Sequence, residues 1–501
     1  MKKILLLIIC LILSFNYSKA QKNDQFDSLI KNYRIKQEKL NKSFSEYFYG
    51  NFKEIYSFKQ SKFENVIDSL QNLYTDFLES FLNENPIIEE FFKFQESKEI
   101  QYYFENLKLD YLYQHKKNTG EEVKLVEPNE NIKKDFTNPE MMNVESFVSY
   151  VKTYLYFLSK IELENSSYAS IDNQQLNATL NIIPQYFSNS KIKEYLMFDY
   201  LYNHIDNFGI KNIEKNYQNF INTCHDTVYI NQVSKLYEAE KKGRQGHLIE
   251  TYKTVGNFKL DIHLFLPDSS FQTERNPVIV YFHGGSWSEG KPDWSFGACQ
   301  KYSEKSWVGV AVEYRLADRH GTLPFEAVMD AKSAIRWLRV HANEYNIDTN
   351  RIVASGNSAG GHLILATALV ENWNEKTDNL NINPVPNLLM VYSGVYDLTD
   401  SWWIKQGLKN RNLDENLVKE ISPNYLSQNK LPPTLIIHGT DDNNVPFSTA
   451  QQFVNVMEEN GNNIEFHVLE GAGHFIWYDR RYNNQVDEIR TKFLEKQGYL
   501  Y

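Results

Sequence analysis

A serine lies between small residues in the second half of the chain. Gly356 and Gly360 stand two positions before and two positions after Ser358, between an apolar run at 352–355 and another at 363–370. Small residues at these two positions allow a sharp strand-to-helix turn that exposes the serine Oγ. The N–H groups of the following helix then point at negative charge that develops there. The pattern alone is weak, because a chain of this length contains roughly 0.1 such matches by chance. The alternative is an ordinary glycine-rich turn, and we predict a nucleophile for acyl transfer.

Two later segments carry the acid and the base that such a serine needs. Asp442 and His474 each follow an apolar run, so that the order along the chain is Ser358, Asp442, His474. A histidine takes the serine proton and returns it to the leaving group, while an aspartate holds the imidazole tautomer and stabilises its charged form. Asp441 is the alternative acid, because it is only one residue away. We predict Ser358, Asp442 and His474 as the catalytic residues.

Backbone amide donors are predicted at two places. The His-Gly-Gly segment at 283–285 ends an apolar run at 278–282, and without Cβ atoms its backbone can approach a ligand closely. Gly284, Gly285 and Ala359 would bind the oxyanion of a tetrahedral intermediate, where one donor is worth about 10²–10³ in rate. We expect His283 to anchor this loop by hydrogen bonds and not to act as the base.

The sequence contains fewer signals for the substrate pocket and for a cofactor than for the catalytic residues. Aromatic residues occur in segments expected near the mouth of the site, and the tentative pocket residues are Trp287, Trp402, Trp403 and Phe475. The alternative is that these side chains cover the core or belong to a lid. No metal-ligand spacing and no phosphate-binding G-x-x-x-x-G-K motif is found, so we expect no metal and no cofactor.

The elements that must position these residues follow from the pattern of apolar runs. Strands are predicted at 278–282, 308–312, 352–355, 388–392, 434–437 and 464–468, and most are apolar on both faces, as in a parallel sheet buried under helices. Helices are predicted at 324–345, at 448–461 and around 486–493. Alternating strands and helices indicate an α/β fold over residues 244–501.

Residues 21–243 follow a different pattern. They contain few glycines, and apolar residues recur at helical spacing, for example at Phe63, Val66, Leu70, Leu73, Phe77 and Phe81. We predict a mostly α-helical domain of unknown role whose aromatic residues form a core. This domain is a candidate for binding an unknown partner.

The chain begins with an export signal. Residues 1–20 combine Lys2 and Lys3, a short apolar run at 4–15 and the small residues Ser18 and Ala20 before an expected cleavage site, which is typical of a secretory signal peptide. The alternative is an uncleaved membrane anchor, but the run is short for a span. We expect a periplasmic or extracellular protein without a stable membrane anchor. There Cys224 and Cys299 could pair or remain free thiols.

The overall charge argues against one class of partner. The chain has 501 residues, with 53 basic and 64 acidic side chains and a net charge of −11. Binding to nucleic acid rests on cationic contacts to phosphate, so we expect no nucleic-acid partner.

Five short motifs occur in a characteristic order: HGGSW, EYRL, GNSAGGHL, HGTDDNNVP and GAGH. Together they resemble the esterase/lipase branch of the α/β-hydrolase superfamily over about 245–495, and most nearly bacterial acetylxylan and feruloyl-esterase-like enzymes. The resemblance implies an α/β-hydrolase fold, a mostly parallel sheet flanked by helices. It implies the triad Ser358, Asp442 and His474 and an oxyanion hole of Gly284, Gly285 and Ala359. Lipase-like members often have a third glycine where this chain has Ser286.

The resemblance implies a serine esterase that forms an acyl-enzyme, and with the signal-like residues 1–20 we expect an exported one. A serine at the elbow argues against dehalogenases and epoxide hydrolases, which would have an aspartate there. Acetyl or hydroxycinnamoyl esters of plant glycans are the first expectation, followed by other short-chain acyl esters. A secreted serine peptidase of the same fold and a non-catalytic binding protein are the alternatives.

Overall fold

The computed structural model describes residues 24–88, 90–164, 168, 170–268, 275–426 and 430–500. The predicted signal peptide at 1–20 lies outside the described residues. The chain divides into two compact units, of which the first ends at Tyr154 and the second is Leu155–Tyr501. In the described part of the chain, no helix is long and apolar enough to cross a membrane.

The described part of the first unit is helical, which confirms the prediction for this region. Its helices are α1 Asp24–Phe44, α2 Phe52–Ile55, α3 Gln60–Glu84, α4 Glu90–Thr119, α5 Glu130–Asp135 and the first half of α6 Glu145–Leu163. The aromatic side chains form its core, as the tightly stacked rings of Phe63 and Tyr111 show, with centroids 4.2 Å apart.

The buried face of α3 is rotated from the predicted one. Its buried side chains are Phe63, Ile67, Leu70, Tyr74, Leu78 and Phe81, whereas Leu73 is 53% exposed. Both sets of residues keep an average step of about 3.6. Because the helix is apolar over a wide face, periodicity alone does not decide between two adjacent stripes.

The second unit begins with helices and continues with the sheet. Its helices after α6 are α7 Gln174–Tyr186, α8 Ser190–Phe208, α9 Glu214–Thr223, α10 Thr227–Gly243, α11 Phe296–Ser303, α12 Ala317–His320, α13 Pro324–Val340, α14 Ala359–Leu369, α15 Trp402–Asn410, α16 Phe447–Glu459 and α17 Asn483–Lys496. Its strands are β1 Leu248–Val255, β2 Phe258–Phe265, β3 Asn276–Phe282, β4 Val308–Val312, β5 Ile347–Asn357, β6 Leu388–Tyr392, β7 Thr434–Gly439 and β8 Ile464–Leu469.

The eight strands form one sheet in the order β1-β2-β4-β3-β5-β6-β7-β8. The pairs β1–β2 and β2–β4 are antiparallel, and all other neighbours are parallel. Helices α13 and α14 pack on one face of the sheet, and α11 and α17 pack on the other. This mostly parallel sheet between two layers of helices is the predicted α/β-hydrolase fold.

The antiparallel hairpin of β1 and β2 was not predicted. In β1 the exposure pattern is irregular and only Tyr252 and Lys253 are buried. A strand at the edge of the sheet does not need the continuous apolar run that identifies the central strands.

Buried ion pairs connect the α7–α10 region with the sheet. Asp172, just before α7, accepts two hydrogen bonds of 2.7 Å from Arg319, and Lys211 Nζ lies 2.6 Å from Glu313 Oε2. The domain boundary predicted at 243/244 coincides with the end of α10. As a boundary between independently folding domains it stays a prediction.

The two cysteines of the described chain are free and buried. Cys224 follows α9, and Cys299 lies in α11 against the sheet. They therefore do not form the disulfide that was one of the two alternatives.

Candidate active site

Ser358 occupies a strained turn between β5 and α14. Its φ and ψ are 53° and −120°, a conformation that costs a residue with a side chain about 1–3 kcal/mol. The turn requires glycine on both sides. A Cβ on Gly356 would lie 2.4 Å from the carbonyl carbon of Gly360, and one on Gly360 would lie 1.9 Å from the oxygen of Phe282. The serine itself remains partly exposed at the end of the sheet.

Asp442 and His474 are in direct contact. Nδ1 of His474 lies 2.8 Å from Oδ2 of Asp442, while Oδ1 of Asp442 accepts hydrogen bonds from the N–H groups of Asn444 and Val445 at 2.9 and 2.8 Å. Burial alone would raise the pKa of Asp442. Hydrogen bonds from His438, His474 and the Val445 N–H outweigh burial and hold the pKa well below its usual range. The acid is therefore a carboxylate that orients the imidazole through Nδ1.

Asp441, the alternative acid, is placed differently. Its side chain is exposed and contacts Thr440, whose Oγ1 lies 3.3 Å from Asp441 Oδ1. Of the two neighbouring aspartates, the structure brings only Asp442 to His474.

Ser358 and His474 line the same pocket, which has a volume of about 510 Å³. Within the described residues, no hydrogen bond joins the Ser358 hydroxyl to His474. Such contacts are often long in unliganded sites and tighten when substrate binds. With Nδ1 on Asp442, Nε2 of His474 is the nitrogen left to exchange a proton with the serine.

Of the predicted oxyanion donors, Gly284 and Gly285 line the pocket of the serine, and Ala359 follows the serine in the chain. A Cβ on Gly284 would lie 3.3 Å from the Cβ of Ser358, so this backbone passes directly against the nucleophile. Gly285 has a φ of 109°, and Ala359 is the first residue of α14. In the described structure the N–H groups of Gly284, Gly285 and Ala359 make no hydrogen bond. They are available to an oxygen that carries negative charge.

His283 contacts the loop and not the acid. Its Nδ1 lies 2.6 Å from the carbonyl oxygen of Gly284, and the Tyr314 hydroxyl donates to the His283 carbonyl at 2.8 Å. Burial lowers the pKa of His283 to about 4, so the ring is neutral near pH 7. These contacts fit an anchor for the loop.

Residues of α8 and α10 contact the loop that follows β3 at Gly290 and Lys291. The N–H of Gly290 donates to the carbonyl of Asn207 at 3.1 Å. The Lys291 ammonium donates to the carbonyl of Ile205 at 3.1 Å and to Glu240 at 2.8 Å. Sequence reasoning missed these contacts, because nothing in the helical sequence indicates which loop it touches.

Among the described residues, no three His, Cys, Asp or Glu side chains are grouped so that they could hold a metal ion. The arrangement that is present can transfer an acyl group with its own side chains and amides.

Comparison with known proteins agrees with this chemistry. Residues 260–457 match the BD-FAE family model. Esterase LipC of Mycobacterium tuberculosis is 27% identical over 218 residues, which cover 40% of this chain and 53% of LipC. A protein of Arabidopsis thaliana named "Probable isoprenylcysteine alpha-carbonyl methylesterase ICMEL1" is 27% identical over 231 residues, 42% of this chain and 48% of its own. The chain thus spans about half the length of the curated relatives it matches.

One solved structure is also similar to part of the chain. A solved structure, the thermophilic esterase Est2 of the Planctomycetes species Thermogutta terrifontis, is 32% identical and covers 51% of this chain and 94% of its own, with a TM-score of 0.47. The predicted resemblance to the esterase branch is confirmed at this level by the family match and the named relatives. The nearer resemblance to acetylxylan and feruloyl esterases stays a prediction.

The pocket lining differs in part from the tentative set. Phe475 lines the pocket, but Trp287, Trp402 and Trp403 do not. Trp287 is 6% exposed and packs edge-on against the ring of His362 in the core. The aromatic wall is formed instead by Trp294, Trp477 and Tyr478 together with Phe475.

Three pocket residues carry polar groups that sequence reasoning missed. Tyr281 lies in β3, Tyr392 ends β6, and Arg490 lies in α17. The available signals were weak: two tyrosines near the ends of apolar strands, and an arginine beside the apolar stripe of the last helix.

Proposed function

We propose that this chain is a serine hydrolase of carboxylic esters that works through an acyl-enzyme. One observation carries the proposal: the Asp442–His474 pair opens onto the same pocket as a serine held in a strained strand-to-helix turn. The family match at residues 260–457 and the similar esterase LipC support the same reaction class.

In the first half of the reaction, Ser358 Oγ attacks the ester carbonyl carbon while His474 Nε2 takes the hydroxyl proton. The amides of Gly284, Gly285 and Ala359 stabilise the oxyanion. The tetrahedral intermediate then expels the alcohol, which receives the proton from His474. In the second half, water repeats the sequence on the acyl-enzyme and releases the carboxylic acid.

For the substrate we propose acetyl or hydroxycinnamoyl esters of plant glycans, handled outside the cytoplasm. Aromatic side chains in the pocket wall, Trp294, Phe475 and Trp477, would suit a phenolic acyl group or a sugar face. The signal-like residues 1–20 support export.

The test compares the wild-type chain with Ser358→Ala on p-nitrophenyl acetate. Loss of the nucleophile in a serine protease costs about six orders of magnitude in turnover, so the variant should fall to background. Retained activity in the variant contradicts the assignment of Ser358. The active wild type is then assayed on acetylated and feruloylated xylan and on p-nitroanilide peptides. Faster cleavage of the anilides would identify a peptidase instead.

A further inference from the structure

The active-site pocket extends onto the sheet face that is covered by α11 and α17. In the sheet register Tyr281 lies beside Ser355, and Tyr392 lies beside Asn357. Side chains at paired positions of parallel strands point to the same face, so both tyrosines stand next to the strand that ends in the nucleophile. Arg490 projects from α17 into the same part of the pocket.

The polar groups of this part of the pocket have few partners. In the described structure, the buried hydroxyls of Tyr281 and Tyr392 donate no hydrogen bond, and the Arg490 guanidinium lies beside the Tyr392 hydroxyl. Leaving a buried donor unpaired costs about 1–3 kcal/mol. Two such groups border one pocket, so each keeps a donor for a ligand oxygen that displaces the side chains covering it.

Arg490 supplies a positive charge at the same place. Its guanidinium lies 3.0 Å from Asp487, whose side chain is 64% exposed, and this is its only ion pair within the described residues. Burial would lower the pKa of Arg490, but the neighbouring tyrosines and Asp487 raise it above its usual value. The arginine therefore keeps N–H donors for a further partner.

The other carboxylate of the pocket lining is Glu289. Its Cγ would lie 3.3 Å from a Cβ on Gly285, which places it beside the loop of the oxyanion donors. Burial, together with the charge of Asp318, raises the pKa of Glu289. Glu289 belongs to the loop that follows the oxyanion donors, whereas Arg490 belongs to α17.

We propose that Tyr281, Tyr392 and Arg490 form a subsite that binds a carboxylate carried by the ester substrate. A guanidinium and two hydroxyl donors match the acceptor oxygens of a carboxylate. The inference rests on the proposed esterase function and deepens it, because it adds a charge requirement to the substrate. The carboxylate could belong to the acyl group or to the alcohol, and the test separates these sources.

The test uses two matched pairs of esters. For the acyl group, p-nitrophenyl hemiglutarate is compared with p-nitrophenyl 5-methylhexanoate, a neutral ester of similar shape. For the alcohol, 4-acetoxybenzoate is compared with 4-acetoxybenzamide. In one of the two pairs we expect kcat/KM to favour the anionic ester, and the pair concerned identifies the source of the carboxylate.

Two variants and one control assign the preference to the subsite. Arg490→Gln should lower kcat/KM for the anionic ester by about 10- to 100-fold, the range for losing a hydrogen bond to a charged group. It should change the neutral partner by less than about twofold. Tyr392→Phe should act in the same direction with a smaller effect. Lys492→Gln, on the exposed side of α17, should leave the preference unchanged.

Failure of the subsite and failure of the esterase proposal give different results. If the wild type hydrolyses both members of each pair equally, or if Arg490→Gln weakens both equally, the carboxylate subsite is wrong although the esterase proposal stands. If the wild type hydrolyses no ester, binding of benzoate and of benzamide is measured by calorimetry. Benzoate binding that Arg490→Gln abolishes then supports the subsite alone, and no preference for benzoate over benzamide overturns it.

Discussion

Replacement of Asp442 by asparagine tests the orientation of the histidine. Oδ1 of Asp442 accepts two backbone N–H groups, and Oδ2 faces Nδ1 of His474. An asparagine side chain has one acceptor oxygen and one NH₂ donor. Its oxygen must take the position of Oδ1, because the opposite orientation would place NH₂ against two N–H donors.

In Asp442→Asn the NH₂ group therefore occupies the former Oδ2 position and faces His474 across 2.8 Å, the distance of the wild-type contact. It forces Nδ1 to accept, so that the proton moves to Nε2, the nitrogen that should receive the serine proton. His438 cannot accept a hydrogen bond from this NH₂ group, because its Nε2 lies 3.0 Å from the Val445 carbonyl and is already a donor. A serine protease with this change loses about 10⁴ in kcat, which corresponds to roughly 5 kcal/mol of barrier.

The assay measures kcat on p-nitrophenyl acetate for Asp442→Asn, with Asp441→Asn as the matched control. The control changes an exposed carboxylate one residue away and should keep nearly full activity. Thermal unfolding of both variants checks that they are folded. Activity of Asp442→Asn above about a tenth of wild type, or an equal loss in the control, would refute the tautomer argument.

Three other changes probe the loop and the buried charges. Gly284→Ala places a Cβ 3.3 Å from the Cβ of Ser358, so kcat should fall by about 10²–10³ through displaced oxyanion donors, with thermal unfolding as the check on folding. Lys291→Met removes the contacts from the loop to α8 and α10, and kcat on p-nitrophenyl acetate should fall by about 10- to 100-fold while KM changes less. Burial of Glu313 tends to raise its pKa, but the charges of Arg319 and Lys211 outweigh burial, so that the pKa lies below its usual value. The ionised Glu313 carboxylate therefore stabilises the folded state above the unfolded pKa of about 4.3, and this stabilisation is lost as pH falls below that value. Between pH 6 and 3 the urea midpoint should drop less steeply for Glu313→Gln than for the wild type.

The central strands and the acyl-transfer motifs could be predicted because each depends on local sequence. Strands such as β4 and β6 are buried along their whole length, and continuous apolar runs identify them. The turn at Ser358 is local in part: Gly356 is required by contacts within the turn, whereas Gly360 is required by its approach to Phe282 at the end of β3.

The tentative aromatic pocket was harder to predict because type and position in the chain do not decide which way a side chain points. Trp287 lies two residues after Gly285, yet it has a φ of 58° and turns inward onto His362. Phe475 follows His474 and remains 58% exposed at the pocket. Two aromatic residues next to site residues thus have opposite environments.

The residues of the proposed carboxylate subsite depend on the order of strands in the sheet. Tyr281 and Tyr392 are far apart in sequence, but β3 and β6 are the two neighbours of β5, so the sheet places one tyrosine on each side of the strand that leads to Ser358. Arg490 joins them only because α17 returns to cover this face. Local motifs therefore suffice to propose the reaction, whereas the proposed carboxylate subsite depends on strand order and helix packing. It follows that changes at these three positions should alter which ester is preferred without removing the ability to hydrolyse esters.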